Sequence, residues 1–232
     1  MRLGRGVDKA LFSPAGRERA LFRTRFGLDE RAPVILYVGK LMPEKNVLLL
    51  ARALAGLRPL ERRFTLLACG AGALQRPLAE LLGDRAVFAG VQPHELLRRL
   101  YASADLLAFP SATETFGQVV MEAACSGLPA LVSARGGACQ HVERGGEVGL
   151  VVAHDTPAEW AAALRTLLRD RERAARMGRC ARRRAELVYP GWREVYREVV
   201  KPTWLAAARA HGRSTSPEAA RLQARPLGYA AA

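Results

Sequence analysis

Short, continuous apolar runs alternate with stretches of helical period from Pro33 to Val152. Pro33-Val34-Ile35-Leu36-Tyr37-Val38, stopped by Gly39, reads as a strand buried on both faces. Asn46 then opens a helical stretch to about Arg58, with Leu48, Leu49, Ala51, Leu54 and Leu57 apolar. Phe64 to Ala68 predicts a second strand, ending at Gly70 and Gly72, and Leu74 to Leu82 a helix. Ala86-Val87-Phe88 is a third strand and His94 to Tyr101 a helix. Leu106-Leu107-Ala108-Phe109, stopped by Pro110, is a fourth strand. Gly117 to Ser126 is helical and closed by Gly127. Ala130-Leu131-Val132 and Leu150-Val151-Val152 supply the fifth and sixth strands. From Thr156 only helices are expected, broken near Tyr189-Pro190-Gly191.

Repeated strand–helix units with continuous apolar strands imply an α/β fold: a Rossmann-like parallel sheet of about six strands, helices on both faces, and a helical C-terminal part. Ligands of such sheets bind beyond the carboxyl ends of the strands. The loops of interest are therefore 39–46, 69–73, 90–93, 110–117 and 133–138.

Half of the 232 residues are hydrophobic, enough for a folded core, and only 6% are aromatic. The charge is +14, with 36 basic against 22 acidic residues. Such a balance favours anionic partners, and an Arg-rich coding bias accounts for it equally well. The residues from Pro157 to Arg209 hold thirteen basic against six acidic side chains, a solvated helical face or a patch for peripheral contact with an anionic membrane. The thin aromatic content and missing motif speak against a specific nucleic-acid partner. Cys69, Cys125, Cys139 and Cys180 have no metal-ligand spacing and read as reduced structural thiols. No apolar run approaches the ~20 residues that span a bilayer, and no secretory stretch opens the chain. A cytoplasmic location is the default expectation, with attachment at the inner membrane face as its peripheral variant.

Three places carry chemistry. The loop Gly39-Lys40-Leu41-Met42-Pro43-Glu44-Lys45-Asn46 holds two of only four lysines in the protein, before a helix start. Two point charges beside unpaired helix N–H groups can hold a diphosphate; the alternative is two solvated lysines with Glu44 as a surface partner. The loop Pro110 to Gln118 leads into a helix, with Thr115 as expected N-cap and Gly117 allowing close backbone approach. Glu122 lies inside an otherwise apolar helix, where an unpaired carboxylate is costly. Thr115, Gln118 and Glu122 are spaced to share one stripe, so Glu114 and Glu122 can reach two parts of one elongated ligand, such as a sugar and a ribose. The alternative pairs Glu122 with an arginine and leaves Glu114 in water. Asp-x-Asp and His-x-x-x-His are both missing, so no metal site is expected.

With these residues in view, the chain resembles the donor-binding C-terminal half of a family 4 retaining glycosyltransferase (glycosyl transferases group 1) with the GT-B fold. The resemblance runs over roughly residues 3–200. It is carried by Glu114-Thr-Phe-Gly-Gln-Val-Val-Met-Glu122, by Tyr101-Ala-Ser-Ala-Asp105 through Phe109-Pro-Ser111, by Gly127-Leu-Pro129 and Gly136-Gly137, and by Val38-Gly-Lys40 with Glu44-Lys45. It implies that Lys40 and Lys45 hold the donor diphosphate beside Gly39 and stabilise the leaving group. It implies that Glu114 binds the donor sugar, with backbone groups of Thr115, Phe116, Gly117 and Gln118 close by. Glu122 would take the ribose hydroxyls, and the base would lie near Gly90 and Val91. Lys40, Lys45 and Glu114 are then the catalytic set, in a metal-independent hexosyl transfer without a cofactor from a UDP- or GDP-linked sugar. Lys40 stands where the family usually has Arg, Gln140 where a Glu is common, and Ala71 and Ala73 where an acidic residue and a proline are usual.

Arg5-Gly6-Val7-Asp8 followed by Phe12-Ser13-Pro14 resembles the family's interdomain connector. The resemblance thus gives residues 1–16 as a connector remnant, 17–210 as the nucleotide-sugar-binding domain and 211–232 as a flexible tail. The acceptor half would be a separate chain or lost, leaving this chain weakly active or inactive alone; a non-catalytic nucleotide-sugar sensor or subunit is the other reading. Trp192, Tyr196 and Trp204 are expected to keep exposed apolar surface.

Overall fold

The computed structural model describes residues 5–58, 63–142 and 146–210; the tail expected at 211–232 lies outside the described residues. Two compact units emerge, one of Val7–Tyr189 and one that includes the chain from Pro190 onward.

In the larger unit, six strands form one parallel sheet: β1 (Val34–Val38), β2 (Thr65–Cys69), β3 (Ala86–Gly90), β4 (Leu106–Phe109), β5 (Ala130–Ser133) and β6 (Gly149–Val152). Their order is β3-β2-β1-β4-β5-β6, which reverses direction between β1 and β4. Each strand lies within two residues of its predicted place. Helices α1 (Ala20–Phe26), α2 (Val47–Ala55), α3 (Gln75–Leu82), α4 (His94–Ser103), α5 (Gln118–Cys125), α6 (Pro157–Arg169) and α7 (Arg171–Val188) cover both faces.

The period-2 alternation of β1 divides the core. Val34 and Leu36 face a cluster with Phe22, Leu100, Tyr101, Val120 and Ala185, drawn from α1, α4, α5 and α7. Ile35 and Tyr37 face a second cluster with Leu50, Leu54, Leu78, Trp160 and Met177, from α2, α3, α6 and the start of α7.

Some local expectations need correction. α2 stops at Ala55 rather than running to Arg58. Asn46 precedes it in a left-handed conformation (φ 54°) without a side-chain cap, after a 3-10 turn over Pro43–Lys45. α1 was not predicted, its seven residues being too short to show a period. Val7 and Phe12 are buried in the core, and residues 7–16 are part of the larger unit.

Asp105 ties the start of α1 to the sheet. Its Oδ2 accepts from Arg19 at 2.7 Å and from the Val34 N–H at 2.8 Å. Arg19 also donates to the carbonyls of Glu30, Ala32 and Ser103. Asp105→Ala should therefore destabilise the fold by about 2–3 kcal/mol, since it leaves the Arg19 charge without its carboxylate and the Val34 N–H without an acceptor. Urea unfolding measures this, and Asp105→Asn, which keeps an acceptor for Val34, should lose less.

In the C-terminal unit, α8 (Trp192–Val195), a π-helical turn over Tyr196–Val200 and α9 (Lys201–Ala210) follow one another, after the predicted break at Tyr189-Pro190-Gly191. Trp192, Tyr196, Val200 and Trp204 recur every four residues, and all four are exposed, as expected of the three aromatics. Among the described residues no helix is long and apolar enough to cross a membrane.

Candidate functional site

The reversal of strand order opens a crevice between the carboxyl ends of β1 and β4, where ligands of such sheets bind. The loop after β1 carries Lys40 and Lys45; the loop after β4 carries Glu114. The two loops meet: Lys45 Nζ donates to Glu114 Oε2 at 2.9 Å, each side chain about a fifth exposed (22% and 23%). Thr113 Oγ1 donates across the same gap to the Glu44 carbonyl at 3.0 Å. Lys45 is thus neither solvated nor paired with Glu44. The Lys40 side chain is exposed, while its carbonyl accepts from the buried Tyr37 hydroxyl at 2.7 Å.

Both loops are held by backbone contacts that only glycine permits. A Cβ on Gly70 would stand 1.9 Å from the Gly39 carbonyl oxygen, and one on Gly72 2.3 Å from that of Leu41. The Leu41 N–H donates to Ala71, the Leu74 N–H to Leu41, and the Gly70 N–H to Gly90. The glycine loop after β2 is therefore a cradle for the lysine loop, built from main chain. Its contacts do not depend on the side chains that Ala71 and Ala73 replace. Gly90 joins the same lattice at the end of β3, and Val91 beside it is 79% exposed.

On the β4 side, the Gly137 N–H donates to the Glu114 carbonyl, and a Cβ there would meet the Thr115 carbonyl oxygen at 2.0 Å. His141 Nε2 lies 2.6 Å from the Phe116 carbonyl. Gly136 and Gly137 thus grip the loop of Glu114, Thr115 and Phe116 from behind.

Thr115 does not cap α5. The N-cap is Gly117, left-handed at φ 66° and pressed against Ala138, and α5 begins at Gln118. The expected three-residue stripe shortens to Gln118 and Glu122, because Thr115 precedes the helical turn. The start of α5 still lies at the ligand-facing end of the sheet, since β4 leads into it. Its first turn adds partial positive charge there.

Among the described residues Glu122 pairs with no arginine. Its Oε2 accepts from the hydroxyl of Tyr101 at 3.0 Å, and the Gln118 side chain also bonds it. Burial raises the Glu122 carboxyl above its ordinary range; the bonds from Tyr101 and Gln118, with His94 nearby, pull it back down. Tyr101 is fully buried, so its own phenol is pushed well up by desolvation and by the Glu122 charge.

The structure thus forms two clusters: Lys45 with Glu114, and Gln118, Glu122 and Tyr101. Gly39, Gly70 and Gly90 form the backbone floor. Tyr101 and the cradle glycines had no assigned role in the sequence. A polar tip on an apolar helix face was the available sign of the first, and a glycine pair straight after a strand the sign of the second. All four cysteines are free, and Cys69, Cys125 and Cys139 are buried.

Comparison with known proteins converges on one group. The family described as "Glycosyl transferases group 1" matches residues 18–184. A D-inositol 3-phosphate glycosyltransferase of Salinispora arenicola is 39% identical over 218 residues, covering 84% of this chain and 48% of that one. The chain spans about half the length of the curated relatives it matches. Sucrose-phosphate synthase from Thermosynechococcus elongatus superposes with a TM-score of 0.77 at 28% identity, over 89% of this chain and 52% of that one. Anabaena HepE, solved in complex with UDP-glucose, superposes at 0.73 and 24% identity, over 85% of this chain and 55% of that one.

Proposed function

The chain belongs to the glycosyl transferases group 1 family, and from that footing we propose that it is the nucleotide-sugar-binding half of a glycosyltransferase that moves a hexosyl group with retention. The observation that carries this reading is the Lys45–Glu114 pair across the mouth of the β1/β4 crevice.

In a partly buried ion pair the cost of desolvation offsets much of the attraction, so a ligand that satisfies both partners can replace it. A sugar diphosphate supplies what each partner would lose. Its phosphates succeed Glu114 as the counter-charge of Lys45, and its sugar hydroxyls succeed Lys45 as donors to Glu114. Lys40 and the α5 first turn add positive charge on the same side. During transfer, the bond from the anomeric carbon to the diphosphate oxygen breaks, and a bond from an acceptor hydroxyl to that carbon forms. Negative charge grows on the departing diphosphate, and its freed oxygen takes the acceptor's proton. In this reading Lys40 and Lys45 stabilise that charge in place of a metal ion.

Glu122, deeper along α5, takes the ribose hydroxyls, and the base lies by Gly90 and Val91. The acceptor site belongs to a separate chain or domain, so this chain alone should transfer little sugar. A cytoplasmic site of action goes with this reading. Support for the donor class comes from the UDP-glucose complex of the structural relative HepE.

Calorimetric titration with UDP, GDP and their common sugar conjugates tests the proposal. Saturable binding of one base's conjugates, undiminished by a chelator, is expected. A folded chain that binds none of them would refute it. D-inositol 3-phosphate, from the relatives' name, is the first acceptor to offer.

A further inference from the structure

The carboxylate of Glu122 can serve a ribose only if it stays ionised and keeps one orientation. Two adjacent hydroxyls can both donate to an ionised carboxylate, which accepts only. A buried carboxyl tends toward its neutral form, which would present a donor of its own. The surroundings of Glu122 must therefore hold it charged and aimed.

Tyr101 has the placement to do so. It is fully buried on α4, and its hydroxyl reaches across to α5 to donate to Glu122 Oε2 at 3.0 Å. Buried phenols need a partner, and this one has a side-chain carboxylate on the neighbouring helix. Its ring is fixed in turn by Phe12, edge-on at 5.6 Å and 83°, and Phe12 also meets His94 edge-on at 6.3 Å. Phe12 comes from the segment before α1, so the support for Glu122 extends outward from α5 through α4 to that segment. Burial raises the Glu122 carboxyl, and the Tyr101 bond is the largest influence opposing that rise.

We propose that Tyr101 is a positioning residue that orients the Glu122 carboxylate and so sets the preference of the site for ribose over deoxyribose. This rests on the proposed role of Glu122. The phenol touches no ligand itself; it acts through the carboxylate it holds.

The test is a set of affinities for a nucleoside diphosphate of the preferred base, its 2′-deoxy and 3′-deoxy forms, and inorganic pyrophosphate, by calorimetry. The proteins are the wild-type chain, Tyr101→Phe, Glu122→Ala and Phe12→Leu, each checked by circular dichroism and thermal melting. The wild type should prefer the ribose form about tenfold or more, as hydrogen bonds to a charged acceptor allow. Tyr101→Phe should lower that ratio several-fold, toward the value of Glu122→Ala, and leave pyrophosphate affinity unchanged. Phe12→Leu, which keeps the hydroxyl but removes the edge-on contact that fixes its ring, should melt earlier and lower the ratio less than Tyr101→Phe does. A purely structural tyrosine would instead lower the melting temperature and spare the ratio. A Tyr101→Phe chain with the wild-type ratio overturns the inference while leaving Glu122 as the ribose group. A wild type indifferent to the ribose hydroxyls overturns the reading of Glu122 itself.

Discussion

Lys45→Ala should weaken nucleoside diphosphate binding by about a hundredfold, and Glu114→Gln should not weaken it at all. Hydrogen bonds to charged groups contribute about 1.5–3 kcal/mol, or roughly 10–100-fold in affinity. Removing Lys45 forfeits such a bond to the diphosphate. It also leaves the Glu114 carboxylate unpaired beside an incoming anion, because the two are bonded at 2.9 Å in the free chain. Repulsion then adds to the loss. Glu114→Gln has the opposite sign for the bare diphosphate. It removes the negative charge that competes for Lys45, so UDP or GDP should bind as tightly as before or tighter. The sugar conjugate should lose the extra affinity that its hydroxyls gain from a charged acceptor. Calorimetry on these two variants with the diphosphate and its conjugate shows the crossover. Equal losses for both ligands in both variants would contradict it.

Gly70→Ala should lower stability by about 3 kcal/mol or more, the second large effect. The new Cβ would stand 1.9 Å from the Gly39 carbonyl oxygen, with the backbone at φ 145°. Neither the clash nor the backbone conformation can relax without moving the lysine loop, because the opposing atoms are main chain. For a domain of this size the midpoint should fall by about 6–12 °C. Gly27→Ala is the control. Its φ is 67° and nothing lies within 4 Å of the added carbon, so its cost should be about 1 kcal/mol, from conformation alone. Differential scanning calorimetry separates the two. A Gly70→Ala chain as stable as Gly27→Ala would show that the cradle is not tight.

The sheet was legible because its strands are continuous apolar runs between breakers, a pattern that only burial on both faces requires. Val34–Val38 and Leu106–Phe109 stand out in the sequence for that reason. α1 did not, since its seven residues make only about two helical turns, too few for a repeat to stand out. The start of α5 was misplaced because Thr115 has the chemistry of a cap. A left-handed Gly117 wedged against Ala138 took that place instead, which is a tertiary contact no local pattern reveals.

Of the site, Lys40, Lys45, Glu114 and Glu122 were visible as unusual residue types in their settings: rare lysines after a strand, and a carboxylate in an apolar helix. Their partners were not. That Lys45 meets Glu114 across 69 positions follows from the strand order, which periodicity does not determine. The partner of Glu122 came from 21 residues upstream, on a different helix, where Tyr101 stood in a run that carries the resemblance without a role of its own. The cradle at Gly70 and Gly72 is main chain, so the identity of residues 71 and 73 said little about it.

The central claim is that a nucleotide sugar sits over the carboxyl ends of β1 and β4. Hydrogen–deuterium exchange of the chain with and without the saturating nucleotide sugar tests it most directly. Exchange should slow only in residues 39–46, 70–74, 90–92 and 111–122, with the helices α6 and α7 unchanged. Protection centred elsewhere, or saturable binding that leaves the 39–46 and 111–122 segments exchanging as in the free chain, would contradict it.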